Sequence, residues 1–164
     1  MSILYIGLGS NLGNRKEHLD KAVLEIKNSV GKIIAVSDYC ISEPWGFESK
    51  NDFLNAVLAV DTTMHLPDIL HKTQEIEKKM GSAVHRKRDG GYADRIIDID
   101  LLASGGEIIC NSELTLPHPR MHERLFVMVP FVSVAPGWIH PVFHKTAKDL
   151  LSELKRSVLS DKKK

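Results

Sequence analysis

Apolar residues along this chain switch between two spacings. Ile3-Leu4-Tyr5-Ile6 is a short unbroken apolar run that stops at Gly7, the pattern of a buried strand. Asn14 then stands where a helix would be capped. Leu19, Val23, Ile26 and Val30 follow at helical spacing, and Gly31 ends the run. Residues 32–43 are rich in β-branched side chains and read as a second strand, broken by Pro44-Trp45-Gly46. Residues 53–62 read as a third strand. Pro67 suits the first turn of a second helix, whose buried face is Ile69, Leu70, Thr73, Ile76 and Met80 and whose stop is Gly81.

Residues 82–94 show no period but carry basic residues and two glycines, so they read as a long loop of the kind that serves as a functional lid. Residues 95–103 read as a fourth strand closed by Ser104-Gly105-Gly106, with a short hairpin arm after it. Residues 125–135 are apolar enough for a buried helix, and residues 146–158 for a final one, leaving 159–164 as a frayed tail. The order strand, helix, strand, strand, helix, strand predicts an α+β, ferredoxin-like βαββαβ core with an antiparallel sheet. Both long helices are expected on one face, with the other left for a ligand, and a C-terminal hairpin and helical extension completes the chain. The fold by itself leaves function open.

The 164 residues suit a single domain, and 43% hydrophobic with 26% charged residues suits a soluble one. A net charge of +1 gives no support to nucleic-acid binding. No stretch has the length of apolar sequence that a membrane span needs, and the N-terminus lacks a basic segment ahead of its apolar run, so no signal peptide is expected. Cys40 and Cys110 are too few for a disulfide scaffold, which points to a reducing, cytoplasmic setting.

Candidate chemistry concentrates in Arg95-Ile96-Ile97-Asp98-Ile99-Asp100-Leu101-Leu102. On a strand, residues two apart share a face, so Asp98 and Asp100 point the same way. Two neighbouring carboxylates repel, and a divalent cation removes the conflict; magnesium takes one or two carboxylates and completes its shell with water and phosphate oxygens. A solvated edge strand bearing two acids would give the same pattern. Gly7-Leu8-Gly9-Ser10-Asn11-Leu12-Gly13 misses the dinucleotide fingerprint by one position, and no P-loop occurs, so a nucleotide here would be held by metal and arginine. Arg86, Lys87, Arg88, Arg95 and Arg124 supply candidate charge for phosphates, although the loop cluster would also serve plain solubility. Asn55 shares a strand face with Phe53, and an inward amide needs partners, which a ligand with donors and acceptors would provide. Phe53 and Phe126 suit a core equally well, and His118, in Leu116-Pro117-His118-Pro119, suits a turn.

Six stretches taken together resemble the 6-hydroxymethyl-7,8-dihydropterin pyrophosphokinase family. They are Tyr5-Ile6-Gly7-Leu8-Gly9-Ser10-Asn11-Leu12-Gly13; Ser42-Glu43-Pro44-Trp45-Gly46; Phe53-Leu54-Asn55-Ala56-Val57; Gln74-Glu75-Ile76-Glu77; the acidic strand; and Leu116-Pro117-His118-Pro119-Arg120-Met121 with Arg124 and Phe126. They occur in the family's order over nearly the whole chain. The resemblance implies transfer of diphosphate from ATP to a pterin hydroxymethyl group, with release of AMP, in folate biosynthesis. It implies that Asp98 and Asp100 hold two magnesium ions and that Phe53 and Phe126 sandwich the pterin. Asn55 would bond the pterin edge, helped by the backbone around Ser42, Pro44, Trp45 and Gly46. Gln74, Glu77, Leu101, Thr115 and His118 would line the ATP site, and Arg95 and Arg124 would meet the phosphates.

Two departures from the family pattern bear on the lid. Ser82 stands where an arginine is usual, and Tyr92-Ala93-Asp94-Arg95 where the family reads Trp-Gly-Pro-Arg. Arg86 or Arg88 is expected to supply the missing cation and Tyr92 the missing aromatic beside ATP. A monomer is expected. The competing classes are a ligand- or RNA-binding module on the same fold, for which no RNP1-like run is present, and a metal-dependent phosphohydrolase using the same carboxylates.

Overall fold

A computed structural model of the chain describes residues 2–43, 51–81 and 95–162. Its elements run β1 (Ile3–Ser10), α1 (Arg15–Ser29), β2 (Lys32–Val36), β3 (Cys40–Ser42), β4 (Phe53–Asp61), α2 (Leu66–Lys79), β5 (Asp98–Ser104), β6 (Ile109–Cys110) and β7 (Thr115–Leu116). After a short 3-10 turn at Met121–Glu123 come α3 (Leu125–Val134) and α4 (Ala147–Lys162). The main sheet is antiparallel, in the order β2-β4-β1-β5, with β3 also paired to β4. β6 and β7 form the expected hairpin arm.

Asn14 caps α1 as expected, its Oδ1 accepting the Glu17 N–H at 3.1 Å. Pro67 lies in the first turn of α2. Residues 32–43 do not form one strand. Ser37 interrupts them because its buried hydroxyl accepts the Val57 N–H at 2.9 Å and donates to the Asp38 carbonyl at 2.9 Å. A side chain has taken over part of the ladder there, and the backbone leaves the sheet before rejoining as β3. β5 begins at Asp98 rather than at residue 95, and α4 continues through Lys162, beyond the expected end at Val158.

Strand alternation divides the core in two. Leu4, Ile6, Leu8, Ala56, Leu58, Val60, Ile99 and Leu101 face α1 and α2, where they meet Leu19, Ile26, Ile69 and Ile76. Each such Leu, Ile or Val side chain, fully buried, contributes roughly 1.5–3 kcal/mol. The opposite face was expected to be open, and half of it is not. Tyr5, Val57 and Leu102 are covered by Met128 and Phe131 of α3 and by Leu150 and Leu151 of α4. Tyr5 packs on Phe131 with ring centroids 4.9 Å apart, and Trp138 ties the layer down by donating Nε1–H to the Gly105 carbonyl at 2.8 Å. The uncovered half of this face carries Gly9, Asn55, Phe53, Asp98 and Asp100. Among the described residues, no helix is long and apolar enough to cross a membrane.

Candidate functional site

Register places the two acids. Asp98 lies opposite Gly9 and Asp100 opposite Gly7 across the β1–β5 ladder. Directly opposed residues on one sheet face are the nearest side-chain neighbours. A glycine across from each carboxylate therefore leaves open space beside it. A Cβ on Gly7 would come within 3.4 Å of Leu102 Cδ1, and one on Gly9 within 3.2 Å of Asn55 Oδ1 and 3.4 Å of Phe53 Cδ1.

Two clefts open from this point. The first lies over the uncovered half of the sheet, with Gly7, Gly9, Ser42, Phe53, Asn55, Leu102, Arg124 and Phe126 in its walls. Asn55 is 5% exposed and donates Nδ2–H to Ser42 Oγ at 2.6 Å and to the Cys40 carbonyl at 3.4 Å. With both amide hydrogens used, its Oδ1 is the atom nearest the space above Gly9. Arg124 is only 3% exposed and lies over the Phe126 ring, its guanidinium carbon 5.6 Å from the centroid.

The second cleft is a wider groove between α2, β5 and the β6–β7 arm, lined by Gln74, Glu77, Arg95, Leu101, Thr115 and His118 among others. Arg95 Nη1 donates to Asp98 Oδ1 at 3.2 Å and lies 3.9 Å from Glu77 Oε2. Its side chain is 12% exposed, so a fixed positive charge is held largely out of solvent beside the acids. Burial, reinforced by the positive charges of Arg124 and Arg120, lowers the His118 pKa to about 4. His118 Nδ1 accepts the Arg120 N–H at 3.2 Å, so the neutral ring carries its proton on Nε2.

Asp98 and Asp100 line both clefts. The structure thus brings Ser42, Phe53, Asn55 and Phe126 together on one side of the acids, and Gln74, Glu77, Arg95, Leu101, Thr115 and His118 together on the other. Arg124, expected with the second group, lines the first cleft. Pro44, Trp45, Gly46, Arg86, Arg88 and Tyr92 lie outside the described residues. Sequence reasoning gave no role to Leu102 and Val57, which floor the first cleft, although their alternation with Asp100 and Asn55 along the strands carried that information. Sequence reasoning likewise gave no role to Asn11, which stands in the first matching stretch.

Among the described residues no three His, Cys, Asp or Glu side chains cluster as a metal cage. Two carboxylates on one face are nonetheless the protein share that magnesium ordinarily takes when phosphate oxygens complete its shell, so the donor set fits that ion.

Fold and site define an α+β protein whose apolar pocket and polar groove share an acidic wall. The model of the 7,8-dihydro-6-hydroxymethylpterin-pyrophosphokinase family matches residues 5–136, and the chain belongs to that family. The 2-amino-4-hydroxy-6-hydroxymethyldihydropteridine pyrophosphokinase of Porphyromonas gingivalis is 47% identical over 143 residues, covering 86% of this chain and 95% of the relative. The enzyme of that name from Aquifex aeolicus is 35% identical over 153 residues, covering 93% and 92%. A Plasmodium falciparum HPPK-DHPS structure superposes with a TM-score of 0.74 at 15% identity, over 93% of this chain but 44% of that one, a likeness of fold.

Proposed function

We propose that this chain transfers diphosphate from ATP to the hydroxymethyl group of 6-hydroxymethyl-7,8-dihydropterin, releasing AMP, as a step of folate biosynthesis. The observation that carries the reading is that one acid pair walls two clefts of unlike chemistry. The apolar pocket between Phe53 and Phe126 suits a flat heteroaromatic ring, and Asn55 Oδ1 suits an N–H on its edge. The groove suits ATP, with His118 Nε2–H and the Arg95 guanidinium as donors to phosphate and Gln74, Glu77, Leu101 and Thr115 around the nucleoside.

In this reading the pterin hydroxyl oxygen attacks the β-phosphorus of ATP. The bond from that phosphorus to the oxygen bridging the α- and β-phosphates breaks, AMP departs with that oxygen, and the hydroxyl proton passes to solvent. Asp98 and Asp100 would hold magnesium, two ions on this reading, which when bound neutralises phosphate charge. The chain's own part is positioning and fixed charge, as is general for phosphoryl transfer. Arg95 is already oriented by Asp98 and Glu77, and Arg124 lies at the border of the pocket and the acids. Arg86 or Arg88, with Tyr92, would complete the nucleotide side. Pro44, Trp45 and Gly46 would complete the pterin side. We read the sheet order as ferredoxin-like and the chain as one catalytic domain, a reading supported by family similarity over residues 5–136, and take it to be monomeric and cytoplasmic.

The test is a product assay with magnesium, ATP and 6-hydroxymethyl-7,8-dihydropterin. AMP that forms only when all three are present is the expected result. ADP in place of AMP, or ATP consumption without pterin, would sink the reading.

A further inference from the structure

Arg95 is placed by a residue that touches neither cleft. It lies three positions before β5 begins, beyond the point where strand pairing fixes the backbone. Its backbone is held instead by Asn11, one residue past the end of β1. The Asn11 N–H donates to the Arg95 carbonyl at 3.0 Å, and the Arg95 N–H donates to Asn11 Oδ1 at 2.7 Å. The side-chain amide thus acts as a substitute strand, carrying the β1–β5 ladder past Asp98. Its Nδ2 donates to the Asn51 carbonyl at 3.4 Å, tying the approach to β4 to the same point. Asn11 is only 2% exposed, and no shorter side chain would place an acceptor where Oδ1 stands.

The geometry points to Asn11 as a positioning residue for nucleotide binding, acting through Arg95. The guanidinium reaches Asp98 and Glu77 from a backbone anchor that Asn11 supplies. Without the side-chain amide the Arg95 N–H loses a buried partner, and only the Asn11 N–H bond to the Arg95 carbonyl still holds the backbone from which the long side chain starts. A misplacement of about an ångström is enough to cost a charged contact most of its value. The inference rests on the groove being the nucleotide site, as proposed above.

The test is a double-mutant cycle read by equilibrium binding of α,β-methylene-ATP with magnesium, which needs no transfer chemistry. Asn11→Ala should weaken binding at least about fivefold, Arg95→Ala more, and the double variant no more than Arg95→Ala alone, because the first acts through the second. Losses that multiply would mark Asn11 as a merely structural residue and overturn the proposal. So would binding by Asn11→Ala within about twofold of the parent, or no binding by the parent chain. If Asn11→Ala melts below the assay temperature, Asn11→Ser, whose hydroxyl stops short of the Arg95 N–H, runs the same cycle. Failure of the parent chain to release AMP in the product assay would sink the functional reading separately, leaving the binding cycle interpretable.

Discussion

A side chain on Gly9 would begin 3.2 Å from Asn55 Oδ1, on the sheet face that also carries Asp98 directly across the ladder. Glycine at this position keeps clear the space that Asn55, Phe53 and the acid overlook. Gly9→Ala should fold, since its neighbours need yield only a few tenths of an ångström. It should raise the KM for pterin by roughly fivefold, about 1 kcal/mol of crowding. Steady-state kinetics with pterin varied checks this, and an unchanged KM would show that the ligand does not use this wall.

Gly31 is the contrasting case. A Cβ there would run into the Asp61 carbonyl oxygen, far from either cleft, and the obstacle is backbone. Gly31→Ala should cost about 1–3 kcal/mol of stability by denaturant unfolding. Its kcat/KM should stay within about twofold of the parent at a temperature where both are folded. A selective loss of activity would contradict the separation of stability from site.

Replacing either acid tests the shared wall. Asp98→Asn and Asp100→Asn keep the shape and remove the charge, and each should lower kcat roughly 10²–10³-fold or more. Asp98→Asn also turns the 3.2 Å ion pair with Arg95 into a neutral hydrogen bond. Without magnesium this removes a negative charge beside the groove, so the nucleotide analogue should bind no more weakly than to the parent, whereas with magnesium it should bind more weakly, both measured by calorimetry. Turnover within tenfold of the parent in both variants would remove the acids from the mechanism.

The depressed pKa of His118 predicts a pH dependence of stability. Folded, it titrates at about 4; its ordinary value is 6.5. Above pH 6.5 both states hold a neutral ring and nothing is lost. As pH falls from 6.5 towards 4 the unfolded chain takes up a proton that the folded one refuses, and stability falls, by up to roughly 3 kcal/mol. His118→Gln should lose less stability than the parent between pH 7 and pH 5 in urea titrations. Parallel losses in the two proteins would mean that His118 titrates normally.

Much of this architecture was legible because local signals agreed with one another. The cap at Asn14 and the face from Ile69 to Ile76 each combine a period with a stop or a start, and the corresponding elements formed; the apolar run from Ile3 formed a strand too, but β1 continues past the expected stop at Gly7 to Ser10. The split of residues 32–43 was not legible, because the hydroxyl of Ser37 replaces a ladder bond to Val57, and β-branched composition says nothing about which group fills a register position. The covering of half the sheet by α3 and α4 was also hidden. Residues 125–135 announced a buried helix, but an all-round apolar segment does not say which surface it buries against. In the site, the same-face relation of Asp98 and Asp100 followed directly from strand geometry, whereas the role of Asn11 depends on a contact across 84 positions of chain.

The α3–α4 layer stops partway along one sheet face, and the depth of the apolar pocket is set where it stops. The acids sit on β5 and the ring-facing residues on β4, both fixed by the sheet, while Arg124, Phe126 and Val127 arrive on the covering layer. Evolution can therefore reshape the far wall by sliding or repacking the C-terminal third of the chain, leaving the reacting end untouched.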